Sequence, residues 1–221
     1  MSALALDHLV VAAATLAEGV AWSEAMLGVT PGVGGRHALM GTHNRVFSIA
    51  SAAFPHAYFE IIAIDTQAPS PGRRRWFDLD DTALQATVAR EPQLIHWVAR
   101  CSDIVAACAG WREVGIDRGE VLAAERDTPQ GMLRWRISVR RDGARLFDGA
   151  LPTLIEWGDV HPADAMLASG VTLEALRVGG LPEALWPRIA TAGVRCASDG
   201  PPLVATLSTS RGRIALQSPV F

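Results

Sequence analysis

The chain has 221 residues, 49% of them hydrophobic, with a formal net charge of −3 and a pI near 6.1. The hydrophobic content predicts a globular protein with a sizeable core, and the slightly negative net charge provides no positive field that would attract nucleic acid. The sequence contains no apolar run of the roughly 20 residues that a membrane span needs. The three cysteines are unclustered, which indicates reduced thiols in the cytoplasm, and every basic residue is arginine, which excludes Schiff-base chemistry on lysine.

The first 66 residues predict a strand, a helix and three further strands. The helix has Thr15 as its N-cap and ends at Gly28, and strands flank it where apolar residues alternate or form short runs. The predicted strands cover 5–12, 36–40, 43–50 and 57–64, and the helix covers 15–27. Residues 1–66 are therefore predicted to form a βαβββ module.

The same order of elements returns after a linker. Residues 67–92 hold three of the 13 prolines, the run 73–75 of arginines and a short helical pattern, so they are predicted to connect two modules. The second module, 93–160, is predicted to contain a strand at 93–100, a helix at 102–114, and strands at 117–125, 132–140 and 153–157.

Residues 161–221 predict an abbreviated βαββ unit that ends in a hairpin. Its only histidine, His161, precedes Pro162 and is predicted to open a helix, so we expect this appendage to be structural, as an edge cover, a lid or the surface of a homodimer. The predicted fold class is α+β, with two βαβββ modules and a C-terminal appendage.

Each module carries a histidine on its first strand and a glutamate on its last strand. The pairs are His8 with Glu60 and His96 with Glu156, and their neighbours two residues away are mostly apolar, which indicates that the polar groups point inward. A buried carboxylate needs a partner, which is either a metal ion or a neighbouring hydrogen-bond donor. Recurrence of the pair in both modules favours one divalent metal ion held by all four residues.

At this point the sequence resembles a known family. The segments LDHLVVAA, GTHNR, YFEIIA and FDGALPTLIEW are similar to those of the vicinal oxygen chelate superfamily, and more narrowly to bacterial glyoxalase-like domain proteins. The resemblance covers about residues 5–160. It implies that the two modules form a curved half-barrel and that His8, Glu60, His96 and Glu156 hold zinc, nickel, manganese, cobalt or iron on its concave face.

The resemblance also implies an activity. A metal-dependent lyase or isomerase would bind a small oxygen-rich substrate, with the ion stabilising an enediolate or alkoxide and Glu60 or Glu156 acting as general base. Two alternatives stay open at this point: a metal-free protein that sequesters a small molecule, and an extradiol-type dioxygenase.

Other polar residues are candidates for substrate binding. The set is His43, Asn44, Arg75 and Asp148. Each has a simpler interpretation, since the first two could cap a turn, the arginine run could be a solvated face and Asp148 could serve only in a turn. His37 and His56 lie in loop-like surroundings beside Gly35 and Pro55, and we expect both to be solvated.

Overall fold

The computed structural model describes residues 4–128 and 131–220, which form two β-sheets with helices packed between and around them. The first module comprises β1 (Ala5–Ala12), α1 (Leu16–Leu27), β2 (Gly32–His37), β3 (Thr42–Ser48) and β4 (Tyr58–Ile64). The second comprises β5 (Gln93–Arg100), α3 (Ile104–Arg112), β6 (Glu120–Thr128), β7 (Gly131–Val139) and β8 (Thr153–Trp157), and α2 (Thr82–Val88) lies in the connector.

The two modules share one curved sheet of eight strands. Its strand order is β2-β3-β4-β1-β5-β8-β7-β6, so the two modules meet where β1 pairs with β5 in antiparallel orientation at the centre. Within each module the first strand is parallel to the last, β1 to β4 and β5 to β8. The predicted α+β fold of paired βαβββ modules is confirmed.

Helix α1 begins and ends at the capping residues predicted from the sequence. The Thr15 side chain accepts a hydrogen bond from the Glu18 backbone N–H at 3.1 Å, and Gly28 adopts φ +73°, which lets its N–H reach the Glu24 carbonyl. These are the N-cap and left-handed C-cap that threonine and glycine favour.

The convex face of the large sheet carries the main core. Helices α1 and α3 and a second sheet pack on it, burying Leu9, Phe59, Trp97, Ile104 and Leu207 in one continuous cluster. The second sheet has the order β10-β9-β11-β12 and contains β9 (Thr172–Gly179), β10 (Val194–Ala197), β11 (Leu203–Thr209) and β12 (Gly212–Gln217), with the short α4 (Trp186–Ile189) between β9 and β10. Strand β10 was not predicted, because its four residues are too short to show an alternating pattern.

The connector between the modules covers part of the concave face. Trp76, Phe77, Leu79, Leu84 and Val88 are buried there in a second apolar cluster. Their partners are apolar side chains of the large sheet, namely Val10, Ile62, Ile95, Val98 and Ile137. The segment expected to link two modules is therefore also a core element. Among the described residues, none of the helices is both long and apolar enough to cross a membrane.

Candidate active site

A cavity of about 610 Å³ opens on the part of the concave face that the connector leaves free. Its walls are largely apolar and include Trp76, Leu133, Trp135, Ile137, Ile155 and Trp157. Its floor is polar and consists of His8, His37, Asn44, Tyr58 and Glu60. An apolar chamber of this volume with a few converging polar groups is typical of a small-molecule site.

A β-bulge in β1 brings two consecutive side chains into this site. Leu6 pairs with Ala99 and His8 pairs with Val98, so Asp7 is an extra residue in β1. Successive residues of a regular strand point to opposite faces, whereas a bulge re-aims a side chain. Asp7 therefore contacts the side chain of His8 at 2.7 Å instead of facing the convex core.

The Asp7 carboxylate is completely buried and accepts three hydrogen bonds from side chains. Its Oδ1 accepts from His8 Nδ1 at 2.7 Å, and its Oδ2 accepts from Trp157 Nε1 at 3.0 Å and His161 Nε2 at 2.9 Å. Burial opposes ionisation, but the bonds from His161 and His8 outweigh it and hold the pKa of Asp7 well below its usual range. Asp7 is therefore an anion at neutral pH.

This anion determines which nitrogen of His8 carries the proton. An ionised carboxylate can only accept hydrogen bonds, so Nδ1 of His8 must be the protonated nitrogen that donates to Asp7. The other nitrogen, Nε2, lies 3.5 Å from Oε2 of Glu60. Tyr58 stacks on the imidazole with ring centroids 4.5 Å apart and holds its plane.

Glu60 is held from its other oxygen. Asn44 Nδ2 donates to Oε1 at 2.5 Å, and Asn44 Oδ1 accepts from the Gly35 N–H at 2.7 Å, which fixes the orientation of the amide. His37 Nε2 lies 3.4 Å from Asn44 Nδ2 and 4.0 Å from Glu60 Oε1. Burial lowers the pKa of His37 to about 4, so this imidazole is neutral at pH 7. Glu60 Oε2 is thus left facing His8.

His96, the third predicted ligand, is buried outside the cavity lining. Phe77 of the connector lies over it, with ring centroids 5.1 Å apart. Its Nδ1 donates to the Gly149 carbonyl at 3.1 Å, and its Nε2 accepts from the backbone N–H of Thr153 at 3.1 Å. Burial and the Arg145 cation lower the pKa of His96 well below its usual value, which keeps it neutral. Both nitrogens already have protein partners.

Glu156, the fourth predicted ligand, lies on the opposite side of the sheet. One of its oxygens accepts from the backbone N–H of Ile104 at 2.8 Å, in the first turn of α3, and the other accepts from Arg136. Ile155 and Trp157, its neighbours in β8, are the residues that line the cavity. The expectation that Glu156 faces the concave side was wrong because β8 has apolar residues on both faces.

The strand registers identify the true counterpart of Glu60 in the second module. Glu60 pairs with Val10, two residues beyond His8, and Thr153 pairs with Val98, two residues beyond His96. Thr153 also contacts its histidine, with Oγ1 3.0 Å from His96 Nε2. The second module therefore has a threonine where the first has a carboxylate.

The predicted four-residue metal site does not fit this structure. His8 and Glu60 meet at the cavity floor, whereas His96 and Glu156 are engaged elsewhere, so the four side chains do not surround one centre. A possible metal site among the described residues is formed by His56, His161 and Asp164, whose ligand atoms lie within 4.8 Å of one another.

Only some of the residues predicted to bind substrate lie at the cavity. Asn44 lines the cavity, but His43, Arg75 and Asp148 do not occur among the described lining residues. His43 lies 3.9 Å from Asp65, Arg75 pairs with Asp80 at 2.6 Å, and Asp148 is exposed in a turn at φ +53°.

Sequence reasoning missed several residues of the site. His37 was expected to be solvated, but its side chain is only 9% exposed and lines the cavity floor. His161 caps the short helix Pro162–Ala165 as expected and also donates a hydrogen bond to Asp7. Asp7 was passed over because a regular strand would direct it away from His8. A polar pair such as Asp7-His8 inside an apolar strand is the signal that could have indicated a bulge.

Comparisons with known proteins agree with the architecture. The sequence profile of a family described as a glyoxalase-like domain matches residues 6–191. No match was found among proteins of curated function. The structure of a hypothetical protein from Staphylococcus aureus is similar, with 14% sequence identity, a TM-score of 0.58, and coverage of 98% of this chain and 87% of that chain.

Methylmalonyl-CoA epimerases are also among the similar structures. The Streptomyces coelicolor enzyme in complex with 2-nitronate-propionyl-CoA has 18% identity and a TM-score of 0.44, covering 72% of this chain and 99% of that chain. The Mycobacterium tuberculosis enzyme has 17% identity and a TM-score of 0.40, covering 69% of this chain and 86% of that chain.

Proposed function

Because the chain belongs to the glyoxalase-like domain family of the vicinal oxygen chelate superfamily, we propose that it is an enzyme that moves a proton on a small molecule bound in the concave cavity. The reaction class is that of an isomerase or lyase. The observation that carries the proposal is the chain of contacts from Asp7 through His8 to Glu60 at the floor of an apolar chamber.

His8 is the proposed general base, and Asp7 is its positioning residue. With the proton of the ring fixed on Nδ1, the lone pair of Nε2 is directed toward Glu60 and the cavity. Two acceptors 3.5 Å apart repel each other unless a proton lies between them, so His8 and Glu60 are suited to take up one proton from a substrate and return it at another atom.

The apolar walls favour this chemistry. Trp76, Trp135 and Trp157 restrict water around the floor, and electrostatic interactions strengthen where water is excluded. Asn44 keeps Oε1 of Glu60 occupied, which leaves Oε2 as the oxygen available beside His8. No step of this proposal uses a metal ion, because the four predicted ligands do not meet.

Proton exchange in deuterated water tests the proposal. Small carbonyl compounds, both neutral and acidic, are incubated with the protein in D₂O, and loss of the proton next to the carbonyl is followed by ¹H NMR. We expect protein-dependent exchange on at least one compound, a decrease of about 100-fold or more in His8→Gln and Glu60→Gln, and little change in the control His43→Gln.

A second candidate is a protein that sequesters a small molecule without reaction, which the tryptophan-rich walls favour. Stoichiometric binding of a compound that never exchanges its protons would support this candidate. Exchange that is equally fast in His8→Gln would contradict the enzymatic proposal.

A further inference from the structure

Arg126 lies where the two edge strands of the large sheet approach each other across the cavity. Strands β2 and β6 are the opposite ends of the sheet, and Arg126 of β6 also lines the cavity. Its guanidinium lies against Gly35 of β2, so closely that a Cβ on Gly35 would overlap it. The absence of a side chain at this glycine therefore makes room for the cation.

The charge of Arg126 has no protein counterpart. Its Nε and Nη1 are shielded from solvent and have no hydrogen-bond partner, and Arg126 forms no ion pair, among residues 4–128 and 131–220. A shielded guanidinium with unpaired donors is costly unless a ligand supplies acceptors.

The other charged groups at the cavity are already matched or remain in solvent. Asp7 has three donors, Glu60 accepts from Asn44 at 2.5 Å, and Arg36 pairs with Asp65 at 3.1 Å. Asp127 is exposed at the mouth. Among the described residues that line the cavity, Arg126 is therefore the shielded cation that lacks both an ion-pair partner and acceptors for Nε and Nη1.

This cation also lies close to the polar floor. Burial raises the pKa of Tyr58 well above its usual value and lowers that of His37, and the Arg126 guanidinium opposes the first shift and adds to the second. A ligand atom bound to Arg126 would consequently lie near the floor, with the rest of the molecule between the tryptophan walls.

We infer that the ligand of this cavity is a small organic acid, with its anionic group on Arg126 and a flat apolar body against Trp76, Trp135 and Trp157. Guanidinium groups bind carboxylates and sulfonates with two parallel donors, and the low-dielectric walls strengthen that selection. The inference deepens the proposed function by naming the substrate class, but it concerns binding and not proton transfer.

Two fluorescent probes that differ in one charged group test the inference. 8-Anilinonaphthalene-1-sulfonate is anionic, and N-phenyl-1-naphthylamine has the same aromatic body without the sulfonate. Both are titrated into the native full-length protein, with probe emission and tryptophan quenching as readouts. We expect one site per chain and at least tenfold tighter binding of the sulfonate.

The variants separate a charge effect from a packing effect. Arg126→Gln should lose at least tenfold in affinity for the sulfonate and keep that for the neutral probe, and Arg126→Lys should recover most of the loss. Arg134→Gln is the matched control, because this exposed arginine pairs with Glu125 at 3.0 Å away from the cavity.

Three outcomes would overturn the inference. They are unchanged sulfonate binding in Arg126→Gln, equal weakening of both probes in that variant, and no preference for the sulfonate in the native protein, including no binding of either probe. Because no reaction takes place in this assay, its result is independent of the exchange experiment. Proton exchange that is lost in His8→Gln would support the proposed function even if the protein shows no preference for the anionic probe. A preference for the anionic probe would likewise support this inference even if no proton exchange is found.

Discussion

Replacing Asp7 with asparagine should move the ring proton of His8 from Nδ1 to Nε2. The asparagine oxygen can still accept from Trp157 and His161, which share one oxygen of the native carboxylate. Its amino group then faces His8 Nδ1 in place of Oδ1, and two donors cannot share that position. His8 must accept there, so its Nε2 loses the lone pair that faces Glu60.

The structure allows the size of this change to be estimated. Hydrogen bonds to an ionised group contribute about 1.5–3 kcal/mol each, and neutral ones about 1 kcal/mol. Two bonds to Asp7 become neutral and the third is reversed, so we expect the free energy of unfolding at pH 7 to fall by about 2–3 kcal/mol. Proton exchange on the substrate should fall by about 100- to 10,000-fold, because the base is in the wrong tautomer.

Long-range ¹H–¹⁵N spectra of histidine-labelled protein report the tautomer directly. The chain has six histidines, and the signals of His8 are assigned by their loss in His8→Gln. Urea unfolding measures the stability, with Asp148→Asn as a control at an exposed aspartate. A His8 that stays protonated on Nδ1 in Asp7→Asn would refute the reasoning, as would a stability loss below about 0.5 kcal/mol.

Three further predictions concern Asp7, Glu156 and Gly35. Since the pKa of Asp7 is depressed in the folded protein, its contribution to stability should be present above about pH 4 and decline below it, and urea midpoints between pH 6 and 3 should fall less steeply in Asp7→Asn. Glu156→Ala should cost about 1 kcal/mol, because the Ile104 N–H in the first turn of α3 loses its acceptor, without changing probe affinity; weaker probe binding would place Glu156 in the site. Gly35→Ala should displace Arg126 and reduce sulfonate binding several-fold, whereas Gly110→Ala, which has open space around it, should not.

The architecture could be predicted from the sequence because it depends on local patterns, namely helix caps and the order of strands and helices. Caps at Thr15 and Gly28 and the repeated order of strands and helices specify two modules, and the match over residues 6–191 confirms the resemblance to the family. The same local patterns predict the strands that carry His8 and Glu60, and β1 and β4 lie next to each other in the sheet.

The rest of the site depends on features that the alternation of polar and apolar residues along a strand cannot reveal. Strand β8 is apolar on both faces, so the pattern around Glu156 fits either orientation, and only the register with β5 shows that Thr153 is the equivalent of Glu60. The bulge at Asp7 reverses the expected direction of one side chain. The position of Phe77 over His96 results from tertiary packing of the connector.

The packing of the connector has a consequence for how this architecture diversifies. A duplicated module offers two related concavities, one beside each histidine, but a single chain supplies only one segment to join the copies. Here Phe77 lies over His96 and covers that half, whereas Trp76 forms a wall of the half beside His8, which stays open. Changes in the length or sequence of residues 67–92 would thus determine which module forms the binding cavity and how large a ligand that cavity can hold, without altering any strand of the sheet.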